Sequence, residues 1–305
     1  MRPWIQRWMR FWFEPATPTT LGVCRALFCG AFLLMYFKQD LTEWVPVSKA
    51  FWMPISLFRD LRLPVFSAQT VQVLQTAWKA ALVLSGLGLW TRWSTATAFF
   101  LGIYCFGLPH NFGKTHHLDA IVLLTFGVLA LSRCGDGFSL DRLLARLRAR
   151  RSAAAPAIAP SGEYTWPIRL VWMMMTLVFF GAGVTKLRHS GLAWIFSDNM
   201  AMIMVNQNTP LSIPFAAHTW FCRLIAAGTI LIETGAPLAL VSRRLRWIIA
   251  PSLFLMQVGI RIVMGVRFHS FLVCYVFWVP WEQVGRWITE RMRLMWAPVK
   301  AQASA

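Results

Sequence analysis

Lys186 closes an apolar run that reads Met173-Met174-Met175-Thr176-Leu177-Val178-Phe179-Phe180-Gly181-Ala182-Gly183-Val184-Thr185-Lys186. An amine at the edge of such a run is partly desolvated, which fits it to act as a general base. Gly181, Ala182 and Gly183 just before it let a neighbouring helix come close. The plain alternative is a lysine whose stem lies along apolar surface while its amine reaches the interface. Six histidines (His110, His116, His117, His189, His218 and His269) add side chains that titrate near neutrality and serve as acid, base or ligand. A metal centre built from His110, His116, His117 and His269 is a third option, but no paired-histidine helix motif supports it. Adjacent His116 and His117 point about 100° apart on a helix.

What positions these residues is a set of hydrophobic segments. The chain has 305 residues, of which 57% are hydrophobic and only 14% charged, too little charge to cover the surface of a soluble domain this long. Apolar runs long enough to cross a bilayer fall near 20–37, 73–90, 93–109, 118–134, 166–186, 220–241, 245–264 and 268–281. Backbone polar groups must be paired in lipid, so these runs predict helices and an all-α, polytopic bundle of about eight spans. The net charge of +18 invites a nucleic-acid reading. Its arginines, however, sit in short segments between spans, as the positive-inside rule expects, so no nucleic-acid partner is expected. Arg2, Arg7 and Arg10, then Arg142, Arg146, Arg148, Arg150 and Arg151, then Arg243, Arg244 and Arg246, and finally Arg286, Arg291, Arg293 and Lys300 all fall on one side of an eight-span map. That side is the cytoplasm. The map predicts an inner-membrane protein with both termini inside, and it places every histidine outside, with Lys114, Lys186, Arg188, Arg267, Asp119 and Asp198. Such asymmetry predicts an outward-facing polar site; polar outer loops alone would give the same pattern.

Three regions flank or divide this bundle. Residues 1–16 predict an amphipathic helix in the interface, with Trp4, Ile5, Trp8, Phe11 and Trp12 on one arc and Gln6, Arg7 and Arg10 opposite. The bundle spans 17–284 and is interrupted by a flexible cytoplasmic linker, 141–164, rich in Ala, Pro and Ser in its second half; 285–305 is a basic tail. Arg25, Glu233 and Arg261 lie within spans, where charge is costly and faces a partner or cavity. Glu233 falls far towards the cytoplasm on this map, so a structural pair with Arg25 is expected. Six cysteines without a CxxC pair argue against thiol-redox chemistry, and only Cys105 and Cys222 lie where an outer bridge could form.

Gly181-Ala182-Gly183-Val184-Thr185-Lys186-Leu187 resembles the lysine-bearing helix of the vitamin K-dependent γ-glutamyl carboxylases. Thr20-Leu21-Gly22-Val23-Cys24-Arg25-Ala26-Leu27-Phe28 resembles their first span with its embedded arginine, and Lys114-Thr115-His116-His117 the loop with their second catalytic residue. Glu233 stands where that family has an acidic residue in a span. The likeness covers roughly 16–280, the horizontally transferred transmembrane (HTTM) domain. The resemblance implies that Lys186 deprotonates a reduced naphthoquinone, that His117 (or His116) assists, and that molecular oxygen and carbon dioxide are co-substrates. His116, Lys114, Trp194, Arg267 and His269 are expected around the cofactor.

Two departures limit this carry-over. The family's large extracytoplasmic C-terminal portion has no counterpart in these 305 residues, and an expected histidine near the seventh span is Gln257. The sporulation-delaying protein B family carries a similar membrane domain without an established chemistry. The expectation is therefore carboxylase-like, quinol-coupled base chemistry at an outward pocket. Its alternative is a non-catalytic lipid- or quinone-binding protein, or an accessory in the maturation of a secreted peptide or partner membrane protein.

Overall fold

The apolar runs do form helices, and proline and serine mark where several begin. In the computed structural model, which describes residues 2–113, 117–150, 158–266 and 268–296 (without the side chains of 117, 118, 150 and 296), every regular element is helical. The helices are α1 (Pro3–Phe13), α2 (Pro18–Tyr36), α3 (Ser56–Asp60), α4 (Ala68–Leu87), α5 (Thr91–His110), α6 (His117–Leu131), α7 (Leu140–Arg150) and α8 (Trp166–Ser190). They continue with α9 (Ala193–Phe196), α10 (Asn199–Gln207), α11 (Ser212–Ala216), α12 (Thr219–Gly235), α13 (Leu238–Val241), α14 (Arg243–Met264), α15 (His269–Val273) and α16 (Trp281–Trp296). Pro3 and Pro18 open α1 and α2, where a missing N–H costs nothing. Ser67 and Ser242 cap α4 and α14 by accepting from Thr70 N and Leu245 N.

Among the described residues, three helical stretches are long and apolar enough to cross a membrane: Pro18–Tyr36, Gly162–Ser190 and Arg243–Met264. The other five predicted runs are helical too, and four of them fall short for identifiable reasons. Asp119–Leu131 and His269–Trp278 are shorter apolar helices. The latter is broken into α15 and a 3-10 turn, Cys274–Trp278, ahead of Pro280. α12 stops after 17 residues, and α4 carries Gln69, Gln72, Gln75 and Lys79. Large apolar side chains such as Leu34, Phe100, Leu131, Leu177, Leu231 and Leu255 are exposed, and Arg25, Gln75, Thr95, Thr125, Thr176 and Glu233 are buried within an otherwise largely apolar core. Exposed apolar side chains on this scale fit a membrane-facing surface.

The predicted flexible linker and the basic tail both contain helices. The first part of the 141–164 linker is α7, which has Leu143, Leu144 and Leu147 on one face and arginines on the other; residues 151–157 lie outside the described residues. α16 runs on into the basic tail, with Val284, Trp287 and Ile288 against Arg286 and Arg293, while Arg291 lies 5.6 Å from the Trp287 ring. In both cases the alternation of leucine or tryptophan with arginine at helical spacing outweighs high overall polarity.

The chain forms two compact units. The first comprises Met1–Thr115, Phe126–Ile168 and Val276–Ala305. Its core stacks Phe28 against Phe32, Phe126 and Phe277, with ring centroids 4.9–5.7 Å apart. Arg25 is fully buried there and ties α2 to the α6–α7 turn, donating to the carbonyls of Cys134 and Phe138, both at 2.7 Å. The second unit comprises His116–Thr125 and Arg169–Tyr275. In it Trp172 of α8 lies between the guanidinium groups of Arg169 and Arg246, each 4.3 Å from its ring. Phe179 meets Phe271, which meets Tyr275, which meets Phe254. Met200 and Met204 of α10 pack with Cys222 and Ala226 of α12 and Met264 of α14.

Candidate functional site

Phe179, Gly183 and Lys186 recur at helical spacing, so they share one face of α8. Gly183 sets how close that face comes to α12. A Cβ there would lie 2.9 Å from Thr234 Cγ2 and 3.0 Å from both Glu233 Cβ and Thr234 N. The close approach brings Lys186 Nζ to 2.6 Å from both carboxylate oxygens of Glu233. The pair is largely removed from solvent, with 21% of the Lys186 side chain and 7% of the Glu233 side chain accessible. A lysine reaching out to the interface would have neither a carboxylate partner nor this burial, so the geometry departs from that reading.

After Lys186 the chain turns at Gly191, and Trp194 in α9 lays its ring 5.4 Å from Nζ. Its indole N–H is buried and has no hydrogen-bond partner among the described residues. The site therefore combines an amine, a carboxylate that can hold or relay its proton, an aromatic face over the cation, and a donor N–H. A buried N–H without a partner is costly, and a ligand oxygen would relieve that cost.

The expected Glu233–Arg25 pair is not formed. Arg25 spends both terminal nitrogens on carbonyls, and Glu233 takes Lys186. The depth argument behind that expectation also fails. Lys186 lies level with Glu233, roughly three turns (~16 Å) along α12 from Cys222, and not beside its first turn. The stretch expected as an outer loop, 187–219, contains α9 and α10, which pack along α12 towards Cys222.

Of the residues singled out from sequence, Lys186 and Trp194 come together. Lys114, His116 and Arg267 lie outside the described residues; His117 opens α6, but its side chain is also outside them. His269 begins α15 on an exposed surface, His218 precedes α12, and His189 is exposed with Nδ1 2.9 Å from the Thr185 carbonyl. Among the described residues no group of three or more His, Cys, Asp or Glu could hold a metal ion. All six cysteines, Cys105 and Cys222 included, are free thiols. Glu233 is the functional residue that sequence reasoning misplaced. Opposite charges in neighbouring apolar helices were the available signal. Comparison with known protein families, curated proteins and solved structures finds no match.

Proposed function

We propose that this chain is a multi-pass α-helical protein of a cell inner membrane, with about eight hydrophobic segments and its arginine clusters on the cytoplasmic side. We propose further that its chemistry resides at the Lys186–Glu233 pair. The observation that carries the reading is that pair, largely removed from water beside Trp194, whose buried indole N–H has no partner among the described residues.

These groups fit one hydroxyl of a reduced naphthoquinone, the cofactor the family resemblance implies. The Lys186–Glu233 pair shares one proton; when Glu233 holds it, Nζ is neutral and accepts a proton from a hydroxyl brought to it, while the Trp194 N–H orients an oxygen. When bound, a reduced naphthoquinone would supply the acidic hydroxyl and the reducing equivalents for molecular oxygen, with carbon dioxide as a further co-substrate. His117 is the proposed assistant, in keeping with the position of the first turn of α6 in the same compact unit as Lys186.

One observation favours the non-catalytic reading, in which the pair serves only to hold α8 on α12. Both Glu233 oxygens are engaged by Nζ. Organic extraction of the purified protein, with identification of naphthoquinones by mass spectrometry, tests the proposal. A stoichiometric naphthoquinone in the wild type, depleted in Trp194→Ala and Lys186→Ala, is expected. Absence of naphthoquinone from wild-type protein, together with no binding of an added naphthoquinone, would refute it.

A further inference from the structure

A groove of about 450 Å³ opens beside α7 in the first compact unit, well away in sequence from Lys186. Pro18 and Thr19 from the first turn of α2, Phe138 and Ser139 from the turn before α7, and Arg142 and Arg146 of α7 line it. Arg142 and Arg146 are one turn apart and face the same way. The first turn of α2 has no side-chain cap, so its forward-pointing amides and the positive end of its dipole border the same space. Asp136 also lines the groove, but its carboxylate is taken up by Arg133 at 2.8 Å and the Tyr164 hydroxyl at 2.8 Å. α7 is fixed in place: the Asp141 carboxylate accepts from Trp90 N, Thr91 N and Thr91 Oγ1 at 2.7–2.9 Å, and Ser139 Oγ accepts from Arg142 N at 3.0 Å.

The surroundings of the groove determine which anion it suits. α1, α7 and α16 each expose an apolar face (Trp4 and Trp8, Leu144 and Leu147, Trp287 and Ile288) backed by arginines. α1 and α16 adjoin the start of α2, and α7 lines the groove with it. Ala16 pairs with Ser161, the Glu14 carbonyl accepts from Thr165 Oγ1, and Thr17 Oγ1 donates to Glu282 of α16 at 3.2 Å. Helices of this kind lie in the headgroup layer of anionic membranes, with tryptophan at the boundary and arginine towards phosphate. A free phosphate in water has no use for such a rim. We infer that the groove between α7 and the first turn of α2 binds the phosphate of an anionic phospholipid headgroup.

Full-length protein, delipidated in detergent and titrated with phosphatidylglycerol or phosphatidylcholine under native mass spectrometry, tests this directly. Phosphatidylglycerol binds in preference to phosphatidylcholine, and Arg146→Gln weakens its binding about tenfold, the loss of one charged contact. Arg148→Gln, on the same helix but outside the groove, leaves it unchanged. Equal retention in Arg146→Gln and wild type overturns the site, and an equal loss in Arg148→Gln reduces it to diffuse charge attraction. Binding of inorganic phosphate, with no preference among the lipids, assigns the groove to a soluble anion and overturns the lipid source. Loss of helical circular dichroism in Arg146→Gln moves the test to Arg146→Ala, which removes the charge with a stronger helix former, and unweakened phosphatidylglycerol binding in it overturns the contact.

Discussion

Replacing Lys186 by methionine removes one partner of a buried pair and leaves the other in place. Glu233 would keep only 7% of its side chain accessible while losing the amine 2.6 Å from both oxygens. Breaking a buried pair on one side costs about 3–5 kcal/mol; because Lys186 retains 21% accessibility, the low end applies, about 3 kcal/mol. At about 2–4 °C per kcal/mol for a protein of this size class, Tm falls by about 6–12 °C. Glu233→Leu alone strands the amine instead, and a smaller loss is expected because the long lysine stem can turn towards water. The double variant, Lys186→Met with Glu233→Leu, leaves no charge behind and recovers most of the loss, since apolar replacements of buried pairs are often neutral. Thermal unfolding of the four detergent-solubilised proteins, followed by far-ultraviolet circular dichroism at one pH and detergent concentration, closes the cycle. Single losses that simply add in the double variant, or a Lys186→Met protein within about 1 °C of wild type, would show that the two side chains do not depend on each other.

Gly183→Ala drives a Cβ against Glu233 and Thr234, so it destabilises by about 1–3 kcal/mol, whereas Gly181→Ala, which meets nothing within 4 Å, is neutral or mildly stabilising; paired thermal melts compare them. Asp141 gives a pH signature. Burial raises its carboxyl pKa, but hydrogen bonds from the amide and hydroxyl of Thr91 and the amide of Trp90 outweigh that and hold it below the ordinary range. A group with a depressed folded-state pKa contributes stability above its unfolded value and loses it as pH falls through the folded one. The Tm gap between wild type and Asp141→Asn is therefore widest at neutral pH and closes as pH drops below about 4; a gap independent of pH would contradict the assignment.

Helix positions were legible because apolar length and the placement of Pro18, Ser67 and Ser242 act locally, within one turn of the residue concerned. The leucine–arginine spacing of α7 was just as local, and high average polarity concealed it. Lys186 and Trp194 could be singled out from sequence, but their meeting depends on a turn at Gly191 that folds α9 back beside the end of α8. Glu233 was misplaced for a specific reason. Treating each run as a full-depth perpendicular rod sets Lys186 and Glu233 at opposite levels, whereas α8 and α12 touch at Gly183, where the missing side chain permits it. The carbonyl partners of Arg25 were equally hidden, because they belong to a turn more than a hundred residues away.

The central claim is that the Lys186 amine acts as a base and does not merely hold α8 in place. Oxygen consumption by the purified protein with a reduced naphthoquinone, corrected for protein-free autoxidation, measures it in wild type, Lys186→Ala and Lys186→Arg. Arginine can keep the ion pair with Glu233 but stays charged and cannot accept the proton. Wild type is predicted to oxidise the quinol, Lys186→Arg to remain folded, and both variants to lose about 10²–10⁴-fold in rate. Lys186→Arg at the wild-type rate, or wild type no faster than autoxidation, would contradict the account.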